Sequence, residues 1–213
     1  GHFLAEAKTA GHNVDPRFVD ELLAYLQKRL RETGSESAPT DNERALYCRV
    51  LAAFDRPDRG WMATLSERID RLDMAGRAHL AAAWLASGRR DRARACLPEG
   101  TLKQIGTTST HGRITAPSRQ RAVLLSVLLE LDRDHAWIPR LVRQLKEKRD
   151  GRGWGSTLNS ATALAALAEY QATQDMTADF TGELVVADRQ GEARTFNANQ
   201  PRTFQIDSAS EPV

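Results

Sequence analysis

Apolar residues in the first 173 positions recur with a helical period, and two kinds of helix alternate along the chain. One kind is apolar on a single face, as in residues 16–31, with Phe18, Val19, Leu22, Leu23, Leu26 and Leu30 on that face. The other kind is apolar nearly all round, as in residues 75–86 and 122–129. A helix that is apolar all round must be buried, whereas a one-faced helix keeps one side in water. The alternation therefore predicts two layers of helices, with the inner layer enclosed.

Capping residues indicate where several of these helices begin and end. Asp15 precedes Pro16 and suits the N-terminus of the first long helix. Gly88 suits the end of helix 75–86. We expect Ser118 to cap the apolar helix that runs to residue 131, and Asp134 to begin its one-faced partner. Further helices are predicted at about residues 43–54, 61–72 and 89–97.

The stretch from Asp150 to Tyr170 is the most informative part of the chain. It reads Asp-Gly-Arg-Gly-Trp-Gly-Ser-Thr and continues into a helix of small apolar residues. Ser156 or Thr157 can accept the first free N–H groups of that helix. The pattern predicts that the helix is buried on every side. We expect the side chains of five inner-helix residues to be almost fully buried, namely Val123, Leu124, Leu128, Leu164 and Leu167.

The character of the sequence changes near residue 174, where a β pattern replaces the helical one. Residues 180–187, 193–196 and 203–207 are predicted strands, and 188–191 is a predicted hairpin turn. Two or three strands are not stable alone, so they indicate the start of a larger β domain. The predicted fold class is all-α: a partial α/α toroid of helix hairpins over residues 1–174, followed by a short β segment over 175–213. An open solenoid is less favoured because the helical repeat is irregular and lacks the signatures of known arrays.

Composition and charge exclude some partners. The chain has 213 residues, of which 41% are apolar and 27% charged, and its formal net charge is +2. No unbroken basic block indicates nucleic-acid binding, and no apolar run has the length of a membrane span. Residues 1–10 have the pattern of a mid-helix segment without an initiator methionine or a signal peptide. We therefore expect a piece of a longer protein, with Phe3 and Leu4 on an apolar edge that an absent helix or a partner covers.

Three segments resemble the thioester domain of bacterial α2-macroglobulins: His2–Val14, the start of the Ser118 helix, and the turn Gly151–Thr157. The resemblance covers roughly residues 1–172 and includes the return of the chain into a β-sandwich, CUB-like domain. It implies a fragment of a broad-spectrum, protease-trapping inhibitor in the periplasm or at the cell exterior, associated with the cell envelope. Its partners would then be proteases, through the intact parent protein, and neighbouring domains of the same polypeptide. About five inner helices can be counted, where that family's toroid has six.

The reactive motif of that family is a cysteine with a glutamine three residues later, which together form an internal thioester. This chain lacks the motif. Cys96 is followed three residues later by Glu99, and a carboxylate cannot lose ammonia to form the thioester. We predict that Cys48 is a buried, small hydrophobic residue and that Cys96 has a structural role. We therefore expect the fragment to be scaffold, with no thioester, cofactor, metal or catalytic activity of its own.

His111 is the single weak candidate for chemistry. It lies in the long connection between Glu99 and Pro117, ahead of an inner helix. In complement-type relatives a histidine before an inner helix accepts the acyl group from the thioester, so the resemblance implies an acyl-relay role. The alternative, a solvent-exposed loop histidine, is favoured. His79 and His135 are expected to be surface or capping groups, because no histidine pair has metal-ligand spacing.

Two other classes of function stay open. An α/α-toroid enzyme, such as a glycosidase, lyase or terpene-cyclase relative, would need acidic residues around a cavity. The paired aspartates and the tryptophans that could serve such a site are better explained as helix caps and core residues; they are Asp70, Asp73, Asp132, Asp134, Trp61, Trp84, Trp137 and Trp154. A binding module that presents a helical surface is the third possibility.

Overall fold

The computed structural model describes residues 1–9, 11–97, 116–149, 153–174, 181–185 and 193–197. The chain divides into two compact units, Gly1–Thr173 and Gln174–Val213. The described residues are mostly helical, as the all-α prediction requires.

The described part of the first unit consists of helices and the turns beside them. The helices are α1 His2–Thr9, α2 Pro16–Arg31, α3 Asp41–Ala53, α4 Arg59–Glu67, α5 Met74–Ala86, α6 Arg90–Ala95, α7 Pro117–Leu131, α8 Trp137–Glu147 and α9 Thr157–Thr173. A short 3-10 turn, Ile69–Arg71, follows α4. The predicted helix at 61–72 therefore ends earlier than expected, at Glu67.

The helices pack in an order that follows the sequence. Helix α3 packs on α5, α5 on α7, and α7 on α9. The amphipathic helices contact this series from the side: α2 and α4 contact α3, α6 contacts α5, and α8 contacts α7. The core lies between the two sets, and its largest fully buried side chains include Leu30, Leu51, Met62, Leu80, Leu124 and Leu141. The predicted difference between enclosed and one-faced helices is therefore present from α2 to α8.

Local hydrogen bonds explain several helix ends. The Asp15 carboxylate accepts from the Arg17 N–H at the start of α2, with proline in the first turn. Helix α5 ends in a Schellman motif, in which Arg89 N–H donates to Trp84 C=O and Gly88 N–H to Leu85 C=O, both at 2.8 Å. Gly88 has φ +72°, a conformation that glycine adopts without strain. The predicted ends at Asp15 and Gly88 are confirmed.

Two predicted helix starts are wrong. Helix α7 begins at Pro117 with Ala116 as its N-cap, so Ser118 lies inside the first turn and caps nothing. Proline fits this position because the first N–H of a helix has no partner in any case. Helix α8 begins at Trp137 rather than at Asp134. The His135 imidazole accepts from the Trp137 N–H there, which explains the later start.

The prediction of burial is confirmed for α7 and wrong for α9. Val123, Leu124 and Leu128 are buried, and Leu128 is 1% exposed. Leu164, by contrast, is 59% exposed, and Leu167 is only partly buried. Helix α9 packs chiefly against α7, so it buries one face, on which Asn159, Ala163 and Ala166 lie. Apolar composition alone does not determine how many neighbours a helix has.

The second unit contains two described strands. Strand β1, Thr181–Val185, pairs antiparallel with β2, Ala193–Asn197, in a register that places Glu183 opposite Thr195. Strand β1 lies within the predicted segment 180–187, and β2 covers the predicted segment 193–196 and one further residue. The third such segment, 203–207, lies outside the described residues, and the β-sandwich domain stays a prediction.

Candidate functional site

The turn before α9 requires glycine at two positions. Gly153 has φ +115° and Gly155 has φ +83°. Residues other than glycine rarely adopt this left-handed region of the backbone. A Cβ atom on Gly153 would also lie 2.5 Å from the Ser160 hydroxyl oxygen, which is too close for any real contact. The two glycines therefore allow the chain to reverse direction tightly on either side of Trp154.

Trp154 is held by hydrogen bonds on three sides. Its indole N–H donates to the Leu145 carbonyl of α8 at 2.8 Å, and its backbone N–H donates to the Ser160 hydroxyl at 3.1 Å. Its carbonyl accepts from the Asn159 amide at 3.2 Å. The side chain is buried. These bonds join the turn to α8 and to the first turn of α9, so the position of Trp154 is determined by both helices.

Asn159 extends the network to α7. Its side-chain oxygen accepts two hydrogen bonds from the Arg119 guanidinium, at 3.1 Å from Nε and 2.7 Å from Nη2. Burial lowers the pKa of Arg119 because desolvation disfavours the charged form. The Asn159 N–H donates to the Ser156 hydroxyl at 3.2 Å, so Ser156 is the cap that the sequence predicted. A buried polar network therefore fixes the junction of α7, α8 and α9.

A cleft of about 320 Å³ opens beside this network. It is lined by Pro117, Ser118, Arg121, Lys148 and Trp154, which come from the start of α7, the end of α8 and the turn. The Arg121 Nε donates to the Gln144 amide oxygen at 3.0 Å, which orients the guanidinium. The cleft thus combines two cations with a hydroxyl group and an apolar wall. Sequence reasoning identified the tryptophan turn but missed this cleft.

The two thiols are chemically protected. Cys48 is buried, as predicted, and Cys96 is buried as well. Burial raises the pKa of each thiol to about 12, and for Cys96 the positive charge of Arg77 opposes this only in part. The Cys96 thiol donates to the Arg92 carbonyl at 3.3 Å. Because the thiolate is the nucleophile, neither cysteine is primed for acyl chemistry. Glu99 lies outside the described residues.

The histidines divide into three cases. His111 lies outside the described residues, so its acyl-relay role stays a prediction. His79 is buried, which corrects the expectation of a surface or capping group. Its Nδ1 lies 3.4 Å from Nη1 of Arg49, on the neighbouring helix α3. His135 does cap, through the bond to the Trp137 N–H at 3.2 Å.

Two of the four aspartates considered as acid/base candidates act as local caps. The Asp73 carboxylate accepts from the Gly76 N–H at 2.8 Å and starts α5. Asp132 accepts from the Asp134 N–H at 3.3 Å. Asp70 lies in the 3-10 turn. Within the described ranges, no group of three or more His, Cys, Asp and Glu residues is placed to hold a metal ion.

The tryptophans pack rather than line a common cleft. The Arg44 guanidinium lies over the Trp61 ring at 4.8 Å, and that of Arg92 over the Trp84 ring at 4.7 Å. Trp84 is buried, and Trp137 packs partly buried against the core. The expectation of core and packing roles is therefore confirmed.

Comparison with known proteins gives no match: no family model, no curated protein and no solved structure is similar to this chain. In the part of the chain that the structure describes, none of the helices is both long enough and apolar enough to cross a membrane.

Proposed function

We propose that this chain forms part of the thioester domain of an α2-macroglobulin-like, protease-trapping protein and acts there as scaffold. In this proposal the helices of residues 1–173 belong to an α/α toroid, and residues from 174 onward begin a β-sandwich. The partners are proteases, which the intact protein captures in the periplasm or at the cell exterior.

The order of helix packing is the observation that carries the proposal. Apolar helices α3, α5 and α7 pack successively, each accompanied by an amphipathic helix. This is the alternation expected of an inner and an outer helix layer, because enclosed helices need apolar residues all round and outer helices need them on one face. The exposed face of α9, which includes Leu158 and Leu164, is consistent with a further element beside it in the parent protein.

The network around Trp154 supports a scaffold role. Its hydrogen bonds join three helices through side chains that are largely removed from water. Buried and fully bonded polar networks favour one arrangement of the elements they join. A domain that must hold a reactive group in place in another part of the same protein needs such fixed junctions.

The state of the cysteines supports scaffold rather than catalyst. Both thiols are buried, and the pKa of each is raised to about 12. A group with that pKa is almost entirely protonated at neutral pH and is a poor nucleophile. Any thioester of the parent protein would then be formed by residues outside this chain.

The test is a trapping assay with the intact native protein. A general protease such as trypsin is mixed with a molar excess of it, and activity is measured on a large protein substrate and on a small peptide amide. Trapping predicts loss of activity on the large substrate with retention on the small one, because a captured protease keeps its active site but loses access to large molecules. Equal activity on both substrates, with and without the protein, would reject the proposal.

Matched variants connect the result to this fragment. Asn159→Ala removes the centre of the network. Thr162→Ala changes a half-buried position on the same helix, whose hydroxyl donates to the Leu158 carbonyl and which has no bond to the network among the described residues. After heating, we expect the Asn159→Ala protein to have lost trapping activity and the Thr162→Ala protein to retain it. Equal heat resistance would show that the network does not support the trapping state.

A further inference from the structure

Arg121 is a partly buried cation, and the residues that the structure describes supply no counter-ion for it. Within the described ranges, its hydrogen bond goes from Nε to the neutral amide oxygen of Gln144. Among the residues that the structure describes, no carboxylate pairs with its guanidinium. Burial lowers the pKa of Arg121, because desolvation disfavours its charged form. Partly buried charges are normally compensated, so an uncompensated one beside a cleft indicates an anionic ligand.

The surroundings of the cleft reinforce its positive charge. Lys148, at the end of α8, lines the same cleft and makes no ion pair within the described part of the chain. The neighbouring positions Lys146 and Arg149 are exposed cations. The acidic residue between them, Glu147, lies 4.0 Å from Arg143, one turn back. The field at the cleft mouth therefore attracts anions.

We propose that this cleft binds a small organic oxyanion, a molecule that carries a carboxylate or phosphate group on an apolar body. Arg121 and Lys148 bind the oxyanion, and the Ser118 hydroxyl donates to it. Pro117 and Trp154 form the wall against which the apolar body packs. The volume of about 320 Å³ is at the lower end of the range for small-molecule sites, so the ligand is small.

The charges are arranged for recognition rather than for general attraction. Gln144 orients the Arg121 guanidinium, and Trp154 is held in place by its bond to the Leu145 carbonyl. Side chains that are positioned in advance lose little conformational freedom on binding. The site therefore distinguishes an anion that fits the cleft from one that only meets the surface of α8.

Calorimetric titration of the full chain at constant ionic strength tests the proposal. The probes are phenyl phosphate, benzoate and inorganic phosphate, with benzyl alcohol as the neutral analogue. We expect phenyl phosphate or benzoate to bind, the phosphate ion to bind more weakly because it lacks the apolar body, and benzyl alcohol not to bind. The stronger of the first two identifies the oxyanion group.

Variants connect binding to the cleft. Lys148→Gln and Arg121→Gln should each weaken binding by about tenfold or more, because each removes a charge-assisted hydrogen bond. Arg140→Gln removes an exposed cation of α8, and Arg140 does not line the cleft. This variant should change the affinity by less than about twofold, because solvent screens exposed charges. Arg121→Lys keeps the charge and should retain part of the affinity.

Two results would overturn the proposal. One is the absence of any binding of the aromatic anions to the wild-type chain at about 10 mM, a concentration at which even weak sites are occupied. The other is equal weakening by Lys148→Gln and Arg140→Gln, which would mean attraction to the general charge of α8. Because Lys148 is exposed, Lys148→Gln should not change the fold, so a loss of binding would not result from misfolding. The midpoint of unfolding of this variant without ligand, compared with that of the wild-type chain, checks this.

Discussion

Replacing Asn159 with alanine should destabilise the helical unit more than the loss of a single polar side chain usually does. Asn159 is only 9% exposed, and its side chain accepts from Arg119 and donates to the Trp154 carbonyl. The substitution removes these bonds. It also leaves the partly buried guanidinium of Arg119 without its acceptor, and an unsatisfied charged group is costly to bury.

The magnitude follows from the bonds that are lost. The bonds from the charged Arg119 donor contribute about 1.5–3 kcal/mol, and the amide bond to the Trp154 carbonyl contributes about 0.5–1.5 kcal/mol. The expected loss in the free energy of unfolding is therefore about 2–4 kcal/mol. For a unit of this size, 1 kcal/mol shifts the midpoint of thermal unfolding by about 2–4 °C, so Tm should fall by about 5–15 °C.

Urea and thermal unfolding of the full chain, followed by circular dichroism at 222 nm, measure this loss. Arg119→Ala and the double variant complete a thermodynamic cycle, in which we expect a coupling energy of at least about 1 kcal/mol because the two side chains are in direct contact. Thr162→Ala is the control on the same helix and should cost less than about 0.5 kcal/mol. Additive effects of Asn159→Ala and Arg119→Ala, or a cost no greater than that of the control, would refute the reasoning.

Other substitutions and conditions give further expectations. Leu128→Ala should cost about 2–5 kcal/mol in urea unfolding, because it leaves a cavity in the core; a loss below 1 kcal/mol would show that the site collapses or is hydrated. Gly153→Ala should cost more than about 1 kcal/mol, because φ +115° strains a side chain and the Ser160 hydroxyl occupies its place. Measuring the same substitution in a Ser160→Ala background separates the two causes, because the contact is then absent and the hydrogen bond from the Trp154 N–H is missing from both chains compared. Cys48 and Cys96 should react with a thiol reagent at pH 8 only after denaturation. Because burial raises the pKa of both thiols to about 12, from about 9 in the unfolded chain, stability should fall as the pH rises from about 9 to about 12. Rapid labelling of the native chain would contradict this.

Much of the local structure was predictable from sequence because its causes are local. The start of α2 at Asp15 and the burial of Leu23, Leu26 and Leu30 on its apolar face follow from capping and periodicity, which act within one or two helical turns. Phe18, predicted on the same face, is 55% exposed. The same is true of the end of α5 at Gly88 and of the cap at Ser156. Where a competing local cause exists the prediction was wrong, as at Ser118, because proline and Ala116 already start α7.

Local sequence patterns could not predict how many faces of α9 are buried. The sequence shows that Leu164 is apolar, but its exposure depends on whether another element lies beside it. That is a property of the assembled helices, because a hydrophobic residue is stabilised by burial only where a partner surface is available. Composition alone therefore predicted an enclosed helix where the structure has one buried face.

The candidate site shows the same division. The glycines around Trp154 and the polar residue Asn159 within an apolar run are visible in the sequence, and they indicate a constrained turn. Only tertiary structure brings Arg119 to Asn159 across 40 positions, and places Arg121 and Lys148 at one cleft. Chain order does not encode these distances, because they depend on how α7, α8 and α9 pack. Local hydrogen bonds and periodicity determined the elements, and the packing of side chains between elements determined the site.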